Sequence, residues 1–198
     1  MDLGADAIEL DVHATADGSV VVHHNETIGD VHIPSSSLRR VRQQQLSNGE
    51  QVPTLAEVFE LVGTGPTVFV EVKTLDAEHQ AGFLGELAAG PAPDNYRVHS
   101  FDHRIVHRLL QARSGLVGGV LSASYPLNPL IQLEQSGAAE LWQSQDLLDD
   151  ELVAAVHAFG ARIISWTVDD PARMEEFIDM GVDGICTNHP DRLRELLT

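Results

Sequence analysis

The feature of this sequence that most restricts its fold is a repeated alternation of apolar, strand-like runs with amphipathic helical patterns. Several of the apolar runs are continuous, which is typical of parallel strands that are buried on both faces. Strands that alternate with helices in this way predict an α/β protein with a parallel sheet. The predicted strands are Ala7–Val12, Val20–His24, Thr67–Lys73, Arg97–Phe101, Leu116–Leu121, Ala139–Trp142, Arg162–Val168 and Val182–Thr187.

The segments between these strands carry start and stop signals for helices. Thr54 and Glu57 have the spacing of a capping box, which predicts a helix that ends near Val62. Pro129 and Pro171 are suited to the first helical position, and glycines follow several of the patterns where a helix should end. We expect helices over residues 54–62, 76–89, 102–113, 128–136, 149–159, 170–180 and 188–197.

One predicted strand breaks the alternation. Val20–His24 follows the first strand across a link that is too short for a helical crossover, so it should pair antiparallel as a hairpin. The remaining seven strand–helix units are one fewer than a closed TIM-type (β/α)8 barrel requires. We therefore expect a single barrel domain over residues 1–198 that lacks its first strand, with a loop insertion at Gly29–Val52. Its open strand edges predict poor solubility or a homodimer.

Composition limits the classes of partner and the location. The chain has 30 acidic and 12 basic residues and a formal net charge of −18, which disfavours nucleic acid and anionic membranes as partners. No apolar stretch is long enough for a transmembrane helix, so no stable membrane insertion is predicted. The single cysteine, Cys186, excludes a disulfide within the chain and favours a reducing compartment, the cytoplasm.

Two predicted strand ends carry pairs of charged residues. Residues two apart in a strand share a face, so Glu9 projects with Asp11, and Glu71 projects with Lys73 on the next parallel strand. Neighbouring carboxylates at a buried strand end repel one another, and a bound cation removes that cost. Oxygen ligands favour Mg²⁺ or Ca²⁺ over zinc, and Glu71 is a candidate third ligand. Solvated carboxylates, or an internal ion pair between Glu71 and Lys73, are the simpler interpretations.

Histidine and aromatic residues at strand ends add further candidates. His23 and His24 end the hairpin strand and should point to opposite faces, so at most one of them can face a site. A histidine near a metal and a phosphate suits general acid or base catalysis, because its pKa lies near neutrality. Trp166 can line the bottom of a pocket or pack in the core, whereas Phe101 is predicted to pack in the core. His13 continues the face of the first carboxylate pair but lies where a turn is expected, and we assign it no role.

Six segments resemble the glycerophosphodiester phosphodiesterase family, within the phospholipase C-like phosphodiesterase superfamily, and they span nearly the whole chain. Each segment alone is a weak signal, but six in the family's order make a specific one. The segments are GADAIELDVHATADGSVVVHHNETI, VPTLAEVFEL, VFVEVK, VHSFDHR, IISWTVDD and GVDGICTNHPD.

The resemblance implies an activity and a set of site residues. The implied reaction is metal-dependent hydrolysis of a small-molecule glycerophosphodiester to glycerol 3-phosphate and an alcohol, a step of glycerophospholipid catabolism. The cofactor would be a divalent metal, Mg²⁺ or Ca²⁺. The matching positions are Glu9, Asp11 and Glu71 as metal ligands, His24 as the second catalytic histidine, and Lys73 and Trp166 as pocket residues near the phosphate.

The sequence departs from the family in two places. Asn25 stands where an aspartate is commoner. The family begins with a strand that ends in His-Arg-Gly and supplies the first catalytic histidine, whereas residues 1–3 resemble the tail of the helix that follows that strand. A catalytically impaired metal- or phosphate-binding relative is therefore the first alternative. A metal-dependent lyase of the enolase kind is the second, although only Lys73 is available as its base.

Overall fold

The computed structural model describes residues 3–198, which form two compact units. We call residues 7–98 the N-terminal unit, and residues 3–6 together with 99–198 the C-terminal unit. Residues 1 and 2, at the start of the predicted helix tail, lie outside the described residues. No helix within residues 3–198 is long and apolar enough to cross a membrane. The single domain over residues 1–198 stays a prediction.

The secondary structure follows the predicted alternation of strands and helices. The strands are β1 (Ala7–Ala14), β2 (Val20–Val22), β3 (Thr27–Ile28), β4 (Val31–His32), β5 (Thr67–Thr74), β6 (Tyr96–Ser100), β7 (Val117–Ser122), β8 (Glu140–Ser144), β9 (Arg162–Trp166) and β10 (Gly184–Ile185). The α-helices are α1 (Leu38–Val41), α2 (Leu55–Val62), α3 (Gln80–Ala89), α4 (His103–Ala112), α5 (Ile131–Ser136), α6 (Asp150–Phe159), α7 (Pro171–Met180) and α8 (Pro190–Leu196). Short 3₁₀ turns cover Ile33–Ser35, Ala77–His79, Pro93–Asn95 and Gln145–Leu147.

In the N-terminal unit, β1 pairs with two other strands. It pairs parallel with β5 and antiparallel with β2, which confirms the predicted hairpin. The predicted capping box at the start of α2 is also confirmed, because the Thr54 hydroxyl accepts from the Glu57 N–H while the Glu57 carboxylate accepts from the Thr54 N–H. Phe59 of α2 is fully buried and stacks on Tyr96, with ring centroids 3.9 Å apart.

The predicted loop insertion at Gly29–Val52 is more ordered than the sequence suggested. It contains β4, a 3₁₀ turn and the one-turn helix α1, and β4 pairs with β3. Its apolar residues form a small core of their own with Val21 and Ile28, so the segment is packed and not irregular. The members from the segment itself are Val31, Ile33, Val41 and Val52.

In the C-terminal unit, β7, β8, β9 and β10 pair parallel in sequence order. The residues of these strands that point toward the helices, such as Leu141 and Ile163, form a core with α4, α6 and α7. Gly137, Gly160 and Gly181 end three helices in the left-handed conformation that glycine adopts without strain. Parallel pairing in both units confirms the predicted α/β class.

Several predicted boundaries were wrong at their ends. The strand predicted to reach His24 ends at Val22, although the His23 N–H still donates to the Asp11 carbonyl before the chain turns. The helix predicted at Asn128 begins instead at Ile131, because the Asn128 side chain accepts from the Leu130 N–H and holds a turn there. The last predicted strand shortens to β10.

Candidate active site

The ends of β1 and β5 place three carboxylates and one ammonium group together. Asp11 lies opposite Glu71 in the parallel pairing of the two strands, and Glu9 lies two residues earlier on the same face of β1. Glu9 and Glu71 present carboxylate oxygens that lie within 4.8 Å of each other. The side chain of Glu71 is buried, and those of Glu9 and Asp11 are half-buried. The structure therefore brings Glu9 and Glu71 close to each other, and Lys73 connects Asp11 to Glu71, while the role of the three as metal ligands stays a prediction.

A β-bulge shapes this strand end. Val12 lies opposite Val72, but the next residue of β1, His13, lies opposite Thr74. Lys73 is therefore an extra residue on β5, and bulges of this kind re-aim side chains next to active sites. The Lys73 Nζ atom lies 3.0 Å from Asp11 Oδ1 and 2.5 Å from Glu71 Oε1.

The protonation behaviour of Lys73 reflects these contacts. Burial by itself lowers the pKa of the ammonium group, but the hydrogen bonds to Glu71 and Asp11 outweigh that effect, so the pKa of Lys73 is raised. Lys73 therefore remains charged, and its contact with Glu71 is the internal ion pair that the sequence analysis gave as the simpler interpretation. Its role in neutralising a phosphoryl oxygen stays a prediction.

Glu9 is the most perturbed carboxylate of this group. Burial and the negative charge of Asp11 raise the pKa of Glu9 from 4.5 to about 7, against opposing effects of Lys73 and His24. Three carboxylates thus lie near the Lys73 ammonium group, and one of them holds its proton near neutrality. Carboxylate oxygens gathered at a partly buried point fit a hard divalent cation, which would favour the charged form of Glu9.

His24 lies beside the carboxylates in a pocket of about 460 Å³. The pocket is also lined by His13, Asn25, Lys73 and Thr74. His24 is exposed, and its Nδ1 lies 2.8 Å from Asn25 Oδ1. An amide oxygen only accepts, so Nδ1 carries the hydrogen and Nε2 is the nitrogen that can exchange a proton with a ligand. The structure thus places His24 with four other predicted site residues.

His13 was left without a role from the sequence, because a turn was expected at its position. The structure shows instead that β1 continues to Ala14, which brings the 2% exposed His13 side chain into the pocket. Burial lowers the pKa of His13, although its hydrogen bond to the His24 carbonyl acts in the opposite direction. The alternation from Glu9 through Asp11 to His13 was the sequence signal for this residue.

Trp166 belongs to the C-terminal unit and ends β9. Its Nε1–H donates to the Trp142 carbonyl at 2.9 Å, and its ring meets Phe101 edge to face at 5.4 Å. Phe101 was predicted to pack, but 46% of its side chain is exposed. The role of Trp166 as a pocket residue stays a prediction.

Comparisons with known proteins identify the family. Residues 1–192 match the Glycerophosphoryl diester phosphodiesterase family. A glycerophosphodiester phosphodiesterase of Caldanaerobacter subterraneus subsp. tengcongensis is 31% identical over 214 residues, which cover 100% of this chain and 88% of that protein. A crystal structure of a glycerophosphodiester phosphodiesterase from Parabacteroides distasonis superposes with a TM-score of 0.90 at 28% identity, covering 99% of this chain and 85% of that one.

A third relative adds a likeness of fold. An Oleispira antarctica phosphodiesterase, solved in complex with the product sn-glycerol-3-phosphate, has a TM-score of 0.87 at 20% identity, covering 99% of this chain and 86% of that one. The family match spans nearly the whole chain, and the Caldanaerobacter relative exceeds 30% identity over the full length of this chain. The chain therefore belongs to the glycerophosphoryl diester phosphodiesterase family.

Proposed function

We propose that this protein is a metal-dependent phosphoric diester hydrolase that converts a glycerophosphodiester to glycerol 3-phosphate and an alcohol. The observation that carries the proposal is the cluster of Glu9, Asp11 and Glu71 around Lys73, beside His24, in a member of this family. The product named for the Oleispira antarctica structure is in keeping with this reaction.

The three carboxylates are the residues that would hold the metal. Their oxygens suit Mg²⁺ or Ca²⁺, and the buried position of Glu71 and the neighbouring strands keep the group in a fixed geometry. When bound, such a cation would draw charge from the phosphoryl oxygens and so ease nucleophilic attack on phosphorus. Lys73 would bind a phosphoryl oxygen beside Asp11 and Glu71 and add a second positive charge.

His24 would move the proton that hydrolysis requires. The reaction breaks the bond from phosphorus to the alcohol oxygen and forms a bond from phosphorus to a water oxygen, so the departing alcohol must gain a proton. The Asn25 side chain holds the hydrogen on Nδ1 of His24, which leaves Nε2 to exchange a proton with the substrate. An imidazole can do so near neutral pH as either acid or base.

The decisive experiment measures release of glycerol 3-phosphate from glycerophosphocholine by the purified protein. We expect turnover with Mg²⁺ or Ca²⁺, none after chelation, and losses of at least about 100-fold in Glu71→Gln and His24→Ala. Glu60→Gln is the matched control, because Glu60 is an exposed carboxylate of α2 outside the pocket. Turnover that survives chelation, or that is unchanged in both site variants, would overturn the proposal.

The same experiment distinguishes an active enzyme from a catalytically impaired relative of the family. A protein that binds a divalent cation, measured by calorimetry, but releases no glycerol 3-phosphate would be a metal- or phosphate-binding member of the family without catalysis. Loss of the calorimetric signal in Glu71→Gln would place that cation at the same carboxylates. Absence of both cation binding and turnover would refute both interpretations.

Two finer expectations also belong to the proposal. Activity supported equally by Mg²⁺ and Ca²⁺ would indicate flexible coordination, because Mg²⁺ demands near-ideal octahedral geometry and Ca²⁺ does not. A cytoplasmic location is supported by the single cysteine, Cys186, because one cysteine excludes a disulfide within the chain. Cell fractionation with antibodies to the protein tests that location.

A further inference from the structure

His13 of β1 is hydrogen-bonded both to β5 and to the loop after β2, and these three segments carry the candidate site. Its Nδ1 lies 3.1 Å from Thr74 Oγ1, and its Nε2 lies 3.3 Å from the backbone carbonyl oxygen of His24. A carbonyl oxygen only accepts, so Nε2 carries the hydrogen and Nδ1 accepts from the Thr74 hydroxyl. Both ring nitrogens are thus used in one tautomer, on a side chain that is 2% exposed.

The β-bulge creates this arrangement. Regular pairing would place His13 opposite Lys73, whereas the extra residue places it opposite Thr74 and within reach of the hydroxyl. Thr74 directly follows Lys73 on β5, and His13 lies two residues after Asp11 on β1. One buried imidazole therefore connects the strand ends that carry the carboxylates and the lysine.

The contact with His13 matters most for the segment that carries His24. β2 ends at Val22, so His24 lies on a loop, is exposed, and has its ring bonded to Asn25 of the same loop. The His23 N–H donates to the Asp11 carbonyl at 2.9 Å, which holds the loop just before His24. The His13 hydrogen bond to the His24 carbonyl holds it at the next residue. An acid–base group that must meet a bound phosphate within a fraction of an ångström depends on such support.

We propose that His13 is a positioning residue, which fixes the backbone of His24 by donating from Nε2 to its carbonyl oxygen, oriented by Thr74. The inference rests on the proposed function for its catalytic consequence, since His13 acts through His24 and not on the substrate. It assigns His13 no role as a metal ligand, because both of its ring nitrogens are already hydrogen-bonded.

The test compares His13→Phe, which keeps a ring of similar size but has no donor, with His13→Gln, whose amide can donate to the carbonyl and accept from Thr74. With saturating metal and glycerophosphocholine, we expect His13→Phe to lower kcat about 10- to 100-fold with KM changed less than about threefold. His13→Gln should recover most of the lost kcat. His79→Gln, a half-buried histidine of the same unit outside the pocket, is the control and should match the parent protein.

A second measurement does not depend on turnover. Amide hydrogen exchange of residues 23–26 should accelerate about tenfold or more in His13→Phe and return toward the parent rate in His13→Gln. If the parent protein shows no turnover, the proposed function fails while the exchange rates still decide the role of His13. Parent-like kcat in His13→Phe, parent-like exchange in that variant, or a His13→Gln variant no better than His13→Phe would overturn the inference.

Discussion

Replacing Glu9 with glutamine should stabilise the metal-free protein above neutral pH while destroying the site. The pKa of Glu9 is raised from 4.5 to about 7 by burial and by the charge of Asp11. In the unfolded chain Glu9 loses its proton near pH 4.5, but in the folded protein only near pH 7. The folded state thus holds more protons between these values, so the free energy of unfolding falls as the pH rises through this window.

The size of the effect follows from that difference in pKa. A separation of about 2.5 pKa units between 4.5 and about 7 corresponds to at most about 3.5 kcal/mol, at about 1.4 kcal/mol per unit. Glutamine keeps the shape of the side chain without a titrating group, so Glu9→Gln removes this cost. Below about pH 4.5 glutamate is protonated in both states, and the two proteins should be equally stable there.

The assay is urea unfolding in EDTA, followed by circular dichroism, at pH 8 and at pH 4.5. At pH 8 we expect the variant to unfold at higher urea, with a gain of about 2–3 kcal/mol that shrinks at pH 4.5. With metal at 100 times its dissociation constant, the parent protein should gain about 2.7 kcal/mol and the variant much less. Glu60→Gln, which removes an exposed charge from α2, is the control.

The refuting result is a Glu9→Gln variant that is no more stable than the parent protein at pH 8 in EDTA. It would show that the charged Glu9 carboxylate does not lower the free energy of unfolding of the metal-free protein. An equal gain at pH 8 and pH 4.5 would point to better packing of glutamine and would also contradict the electrostatic explanation.

Four shorter predictions concern the site, the two units and the assembly. Lys73→Met should lower kcat/KM about 100-fold in the glycerophosphocholine assay, because the phosphate loses its fixed cation; parent-like activity would contradict that role. Thr54→Ala should cost about 1 kcal/mol in urea unfolding, since the capping box at α2 loses its hydroxyl, and no change in midpoint would contradict it. Arg162→Met should cost about 2 kcal/mol in the same assay, because the Glu140 carboxylate, 1% exposed, loses one charge-assisted hydrogen bond. The homodimer that the sequence analysis expects is tested by multi-angle light scattering, and a well-behaved monomer would argue against it.

Much of the fold was predictable because the signals are local. The capping box of Thr54 and Glu57 and the helix-ending glycines act within a few residues, so their elements lie where they were predicted. Asn128 was misread because its side chain can start a helix or hold a turn, and the sequence does not distinguish the two. The apolar residues of Gly29–Val52 do not recur with a regular helical or strand period, so the sequence did not predict the small core that they form.

The predictable part of the site was the part set by alternation along strands. Glu9, Asp11, Glu71 and Lys73 were found because residues two apart share a face, and the structure brings them together. The role of His13 was missed because it depends on the pairing of two strands distant in sequence, whose register shifts at that point. The position of the His24 ring likewise depends on a loop conformation held by His23 and His13.

The extra residue at the end of β5 has a consequence for how this protein can change. Deleting Lys73 would restore even strand pairing, but it would take the ammonium group away from Asp11 and from the buried Glu71, which costs stability. The same deletion would move Thr74 away from His13. Stability and the arrangement of the site therefore depend on the same inserted residue, and selection for thermal robustness alone would also retain it.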